Sequence, residues 1–387
     1  MDLRYGMNPQ QRPATAEPLD AARPPVRVLH GQPSYINMLD ALGAWQLVRE
    51  AAGALGRPAA ASFKHLSPAG AALAGPPDAT MTATYGLGPS PVGALTSAYV
   101  RARDSDPKSS YGDFVALSEP VDDELASLLR RLVCDGIIAP GYEPGTVATL
   151  AAKKRGAFVI LEADPAHRPP PWEIREVYGM RFTQPRDDTE LSRRSLADVR
   201  VGSIPDFALD DLLLGLIVVR HTQSNSVAYV RDGMTLGVGA GQQSRVDCTR
   251  LAGAKTDTWW LRRHPRLQAL PADGARTPQE RITEQIRYLD SDDTDPDAPA
   301  ARSAAGPSPA AAPLTAADRA QWLRRLDQVS LASDGALPFP DNVDHARRHG
   351  VRYLAEPGGS VRDQEILAAC RDQGITLVHT GLRLFRH

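Results

Sequence analysis

The chain has 387 residues, room for two or three structural units and a sizeable core. Its 44 Lys and Arg against 46 Asp and Glu leave a formal net charge of −2, which excludes a broadly basic nucleic-acid coat and an acidic solvating tail but not a local basic pocket. Three scattered cysteines (Cys134, Cys248, Cys370) exclude a disulfide framework and a C-x-x-C zinc site. The opening residues MDLRYGMNPQQRP have no apolar signal-peptide core, and no apolar run reaches membrane-spanning length. The expectation is a soluble, cytoplasmic, multi-domain protein with no nucleic-acid or membrane partner.

In chain order, residues 35–57 read as a helix: Leu39, Leu42 and Leu47 around Trp45 recur near a 3.6 period, and Gly56 is a stop. Ala59–Lys64 is an apolar run of strand length. Ser67-Pro68-Ala69-Gly70 then reads as a turn leading into an Ala-rich helix. Asp122 or Asp123 caps a helix through Leu125, Leu128, Leu129 and Leu132. Strand Gly136–Ala139, helix Thr146–Arg155 and strand Ala157–Glu162 follow, and this alternation predicts βαβ units and a mainly parallel sheet.

From Asp164 to about Asp198 the prolines and charges read as an irregular connection crossing the surface. Asp206–Val219 is a buried helix, and Ser226–Val230 with Met234–Val238 flank Asp232-Gly233, a type I′ hairpin signal. Ser291–Pro313, mostly Asp, Ala, Ser and Pro, reads as a mobile insertion. Val351–Ala355, a helix after Gly359 and Ile375–His379 repeat the strand–helix–strand grammar. The division expected is a first half over 1–165, a connection over 166–198 and a second half over 199–387.

Chemistry concentrates in Ser62-Phe63-Lys64-His65-Leu66-Ser67, where a cation and an imidazole stand side by side as a buried strand breaks. Ligands sit at strand ends in open α/β sheets. An ammonium neighbour also disfavours a second positive charge on the ring, which leaves it available as a base. A surface lysine followed by a half-buried histidine is the alternative. Thr222-Gln223-Ser224-Asn225-Ser226 suits either hydrogen bonding of a polar small molecule or capping and turn formation. Gly237–Arg245 looks like a phosphate cradle but is no Walker loop, and Gln242 breaks the G-x-G-x-x-G spacing. Ser109–Phe114 could line a flat heterocycle or form an ordinary turn, and Trp259-Trp260 could be a stacking platform or packing. From the residues alone the reading stops at an α/β enzyme with an anion-binding polar pocket.

Taken together and in order, Arg4-Tyr5-Gly6-Met7-Asn8-Pro9, Lys64-His65, Ser109–Phe114, Asp135-Gly136-Ile137-Ile138-Ala139-Pro140-Gly141-Tyr142-Glu143, Thr222–Val227, Gly239–Gly253 and Arg383-Leu384-Phe385 closely resemble the AICAR transformylase domain of the bifunctional purine-biosynthesis proteins that also carry IMP cyclohydrolase. Ser67-Pro68-Ala69-Gly70 looks like the animal-type branch. The likeness runs from about Asp2 to His387 and fades at 75–95, 165–200 and 270–315.

The resemblance implies two cytidine-deaminase-like three-layer α/β halves with mixed or parallel sheets, and a homodimer with shared active sites. It implies formyl transfer from 10-formyltetrahydrofolate to the 5-amino group of AICAR ribonucleotide, giving FAICAR. His65 matches the family's general base, Lys64 its oxyanion stabiliser and Asn225 a residue that holds the reacting groups. Arg4, Tyr5, Gly112, Asp135, Arg245, Ala336 and Arg383 match nucleotide-contacting positions, with Arg4 and Arg383 expected on the phosphate. Val246, Asp341, Ser360 and Val361 match folate positions. The deaminase zinc signature is missing, so no zinc is expected, while a monovalent cation stays open.

Three residues depart from the pattern: Ala336 stands where the animal type has an aromatic, Pro340 replaces a basic residue and Gln10 replaces a histidine. The cyclohydrolase domain does not precede Arg4, so formylation without ring closure, and a separate cyclohydrolase partner, are expected. A paralogue formylating another aminoimidazole and a non-catalytic nucleotide binder are the alternatives.

Overall fold

The computed structural model describes residues 1–270, 277–290 and 313–387. The chain begins with β1 (Val26–His30), α1 (Tyr35–Leu55), β2 (Ala59–Lys64), β3 (Ser67–Leu73), α2 (Ala79–Tyr85), α3 (Ala94–Ser105), β4 (Asp113–Leu117), α4 (Asp123–Arg130), β5 (Cys134–Ala139), α5 (Thr146–Ala151) and β6 (Val159–Ala163). A separate ribbon, β7 (Trp172–Val177) and β8 (Met180–Pro185), comes next. The chain continues through β9 (Val199–Val201), α6 (Asp206–Arg220), β10 (Val227–Arg231), β11 (Met234–Gly239), α7 (Arg245–Leu261), α8 (Pro265–Gln268), α9 (Pro278–Asp290) and α10 (Ala316–Leu323). It closes with β12 (Val329–Ser333), α11 (Asp341–Arg348), β13 (Val351–Glu356), α12 (Asp363–Gln373) and β14 (Thr376–His379).

The fold is α/β, built on one mixed sheet of twelve strands among the described residues, in the order β1-β6-β5-β4-β2-β3-β11-β10-β12-β13-β14-β9. Read outward from the β3–β11 seam, both sides carry the same plan. A hairpin (β3-β2 or β11-β10) is followed by three mutually parallel strands and an antiparallel edge. Helix α1 precedes the first hairpin as α6 precedes the second. Because the equivalent strands β3 and β11 meet antiparallel, the two runs are related by a twofold rotation about an axis through the seam, perpendicular to the sheet. The two hairpin turns therefore lie at opposite ends of the sheet.

Two cores fill the two faces. Trp45, Leu47 and Val48 of α1 and Leu212–Val219 of α6 bury one face with Phe63 and Phe114, and Tyr99, Leu129, Trp259 and Ile366 join the core on the other. Each large side chain so buried contributes roughly 1.5–3 kcal/mol. Ser34 caps α1 by accepting from the Asn37 amide, and the Asp122 carboxylate caps α4 through Leu125.

Four expectations are corrected. The sheet is mixed rather than mainly parallel, since four of its eleven strand pairings are parallel and seven antiparallel. Ser67–Gly70 is not a turn into a helix but the first part of β3, paired back on β2. The small residues that read as helical let α3 pack tightly, since a Cβ on Gly70 would collide with the Ala102 carbonyl. Pro68 is tolerated beside a register irregularity at the strand start. The helix from Thr146 ends at Ala151, and a 3₁₀ turn over Lys153–Gly156 precedes β6. The 164–198 connection is not wholly irregular: it holds the β7–β8 ribbon, which exposes Trp172, Ile174, Met180 and Phe182. The Ser291–Pro313 stretch, save Pro313, lies outside the described residues.

Candidate active site

Strand β2 ends at Lys64, and Ser67 pairs directly back with it. Two residues must reverse the chain, so His65 and Leu66 both take positive φ, 53° and 67°, as a two-residue hairpin of the I′ kind requires. Neither is a residue that favours this region, and the left-handed conformation costs roughly 1–2 kcal/mol per L-residue. The turn is held by Asp40, buried in α1, whose Oδ1 accepts the Leu66 N–H at 2.7 Å. A hydrogen bond to a charged group contributes about 1.5–3 kcal/mol, enough to offset much of that strain. Burial pushes the Asp40 carboxyl above its ordinary range, while the Leu66 amide and the charge of His65 pull it back. His65 itself is exposed.

Lys64 reaches across the strand ends and donates from Nζ to the Tyr111 carbonyl at 2.6 Å. That loop is fixed from below. Asp113, fully buried at the start of β4, accepts from Ser62 Oγ (2.6 Å), Tyr99 OH (3.1 Å) and Arg103 Nη1 (2.7 Å). Asp106 caps Ser109 through its amide (3.0 Å) and hydroxyl (2.6 Å). Gly112, at φ +76°, lies against the Asp135 carboxylate, which pairs with Lys154 at 2.5 Å. Lys64, His65, Gly112 and Asp135 thus share one sheet end.

The other half meets them there. Gln223 donates its backbone N–H to Ser67 Oγ at 3.2 Å, bringing the Thr222–Ser226 segment beside the Lys64–His65 turn. The Asn225 side-chain amide donates to the carbonyls of Gln242 (2.8 Å) and Gln243 (3.0 Å), and its Oδ1 accepts from Arg245 Nη2 at 2.6 Å. Arg245, buried in the first turn of α7, also holds the buried Asp334 carboxylate, which accepts from Ser224 Oγ at 2.5 Å. The C-terminal tail closes this edge: Ser224 N–H donates to the Arg386 carbonyl at 2.9 Å, and Leu384 N–H to the Asp334 carbonyl at 2.9 Å. Exposed Arg383 stacks over the Phe385 ring at 4.9 Å.

Ala336 is half-buried, one residue beyond Gly335, against which Arg245 and Phe385 pack. Buried Glu356 accepts the Leu337 N–H at 2.5 Å and fixes that loop. Val246 follows Arg245 in α7, and Asn342 ties the start of α11 to α7 through Thr249 Oγ1 at 3.1 Å. Exposed Asp341 accepts from Asn342 Nδ2 at 3.0 Å. Ser360 and Val361 lead to Arg362, whose guanidinium lies 5.0 Å from the Phe339 ring, so the two candidate folate loops are neighbours. Arg4 and Tyr5 stack on each other at 5.0 Å and are tied to the start of α1 by Tyr35 N–H donating to the Tyr5 carbonyl at 3.1 Å. The marked clefts beside Pro76–Pro91 and Glu190–Ser195 lie towards the opposite sheet end.

The AICARFT/IMPCHase bienzyme family model matches residues 1–255. The bifunctional purine biosynthesis protein PurH of Roseobacter denitrificans is 32% identical over 392 residues, that of Cereibacter sphaeroides 31% over 389 and that of Magnetococcus marinus 30% over 395. The chain belongs to the AICARFT/IMPCHase bienzyme family. Each of these alignments covers 100% of this chain and 59% of the relative, so the chain spans about three-fifths of the length of the curated relatives it matches.

Reading by family motifs missed Asp40 and Asp334, and gave no positioning role to Asp113 and Ser224, which lie inside the Ser109–Phe114 and Thr222–Ser226 motifs. A carboxylate inside an otherwise apolar segment was the available signal for Asp40 and Asp334, because a buried acid needs a dedicated partner. Among the described residues no cluster of three or more His, Cys, Asp or Glu side chains is placed to hold a metal ion, and no helix is long and apolar enough to cross a membrane.

Proposed function

We propose that this member of the bienzyme family transfers the formyl group of 10-formyltetrahydrofolate to the 5-amino group of AICAR ribonucleotide, in purine biosynthesis. The observation that carries the reading is the meeting, at one sheet end, of the Lys64–His65 turn with the Asn225–Arg245–Asp334 cluster in a chain aligned along its whole length with PurH proteins. The amine of an aminoimidazole carboxamide is a weak nucleophile. It attacks the formyl carbon as His65 takes its proton, forming the new N–C bond. Negative charge then develops on the formyl oxygen, and the Lys64 ammonium stabilises it. The carbonyl re-forms and the bond to folate N10 breaks as N10 takes the proton that His65 carries, leaving FAICAR, tetrahydrofolate and a neutral imidazole.

In this reading Arg4, Tyr5, Gly112, Asp135, Arg245, Ala336 and Arg383 surround the nucleotide. The arginines on its phosphate supply charge-assisted hydrogen bonds. Val246, Asp341, Ser360 and Val361 hold the folate, the exposed Asp341 carboxylate facing pterin N–H groups. Steady-state turnover of AICAR ribonucleotide with 10-formyltetrahydrofolate tests the proposal: FAICAR formation is expected, and no product at saturating nucleotide overturns it. One observation favours a second acceptor. Half-buried Ala336 stands where the animal-type pattern carries an aromatic, and a bulkier aminoimidazole turning over faster than AICAR ribonucleotide would establish it.

A further inference from the structure

The twofold plan of the sheet places one device twice. The sixth residue of α1 is Asp40 and the sixth residue of α6 is Asp211, both buried. Each points its carboxylate at the amides of the hairpin turn that follows its own helix. Asp40 accepts from Leu66 at 2.7 Å, and Asp211 accepts from Gly233 at 2.6 Å and Asp232 at 3.0 Å. The second hairpin would form readily on its own, since Asp-Gly suits two positive φ values. The first is built from His65 and Leu66, which do not, so its shape depends far more on the carboxylate beneath it.

Resting on the formyl-transfer reading, we infer that Asp40 is a positioning residue for the reaction: by pinning the Leu66 amide it holds His65 at the orientation from which the imidazole reaches the amine. Asp40 is buried behind the turn and acts on it through the amide of Leu66, the residue that follows His65. Displacing a base by about 1 Å can cost on the order of a hundredfold in rate, so a loosened turn should be read in kcat rather than in binding.

The test pairs turnover with amide hydrogen exchange over residues 62–68, in Asp40→Ala, Asp40→Asn, Asp40→Ala/Leu66→Gly and, as a control at the equivalent position, Asp211→Ala. Asp40→Ala is expected to speed exchange in the turn at least about tenfold and to lower kcat by roughly 10- to 100-fold, with the KM for nucleotide changed less than about threefold. Asp40→Asn keeps an acceptor for the Leu66 amide and should recover most of the rate. Leu66→Gly in the Asp40→Ala background should recover part of it, because glycine enters the left-handed region without strain. Asp211→Ala should leave kcat unchanged.

The proposal is overturned if Asp40→Ala keeps kcat within about threefold of the parent, if the loss falls on KM alone, or if Asp40→Asn is as slow as Asp40→Ala while its turn exchanges like the parent's. Should Asp40→Ala not fold, Asp40→Asn and the double variant carry the same comparison. Parental turnover decides the formyl-transfer reading by itself, whereas exchange at Leu66 decides the pinning whatever the reaction proves to be.

Discussion

The two ends of the sheet are built on the same plan and do different things. At one end the His65–Leu66 turn meets the Asn225 segment, and the side chains there are exposed or half-exposed: His65, Lys64, Tyr111, Arg383. At the other the Asp232–Gly233 turn meets the equivalent end of β3, but Arg101 fills the junction. It is 3% exposed and donates to the carbonyls of Leu73 (2.6 Å) and Asp232. Arg57 lies over Gly233 as well. Where the turn is easy to form, a buried arginine fills the junction; where it is strained, the turn residue and its neighbours stay exposed or half-exposed. Strained backbone persists only when its surroundings over-determine it, and here the strain coincides with the residue assigned the base.

The sharpest way to break this contrast is to truncate the first residue of each turn. His65→Ala should lose at least about a hundredfold in kcat while still binding nucleotide, as removal of a general base does. Asp232→Ala should turn over normally and cost about 1 kcal/mol of stability, for placing alanine at φ +54°. Near-normal turnover in His65→Ala would remove the imidazole from the reaction. Equal losses in the two variants would mean that the turns matter only to folding.

Elements defined by local chemistry were legible from residues alone. Helix α1 with its Gly56 stop, the Asp122 cap, strand β2 ending at Lys64 and the Asp232–Gly233 hairpin all lie where spacing and turn residues put them. Strand β3 was not, because Ser-Pro-Ala-Gly carries turn and helix signals, while its smallness serves a contact with α3 made far along the chain. The site divides the same way. Lys64, His65, Asn225 and Arg245 sit in recognisable motifs. The carboxylates that orient them act over 26 residues from Asp40 to Leu66, 51 from Ser62 to Asp113 and 89 from Arg245 to Asp334, and no local pattern encodes such pairs. The union of the halves into one sheet through β3 and β11 is equally non-local.

A smaller effect should separate the arginines of the two ends. Arg383→Ala removes an exposed guanidinium held against Phe385, so nucleotide affinity should fall about tenfold with no change in melting temperature. Arg101→Ala should do the reverse. Leaving the buried Leu73 carbonyl without its donor costs roughly 1–3 kcal/mol, with nucleotide affinity untouched. Isothermal titration with AICAR ribonucleotide beside thermal melts checks both. Unchanged affinity in Arg383→Ala would remove that side chain from the phosphate.

The smallest effect is read in the pH dependence of stability, and it distinguishes the two pinning carboxylates. Burial pushes the Asp211 carboxyl up to about 7, against the pull of the Gly233 and Asp232 amides. A folded-state value above the ordinary 3.8 means that the native protein holds this proton more tightly than the unfolded chain does. The stabilisation it brings is therefore complete below about pH 4 and is lost as pH rises through about 7. Asp211→Asn cannot ionise and escapes that loss, though its neutral oxygen is a weaker acceptor for the two amides. Its melting temperature should start at or below the parent's at pH 5 and gain on it by a few degrees by pH 8. A constant difference across that range would show that Asp211 stays ionised in the native protein, held so by the turn amides.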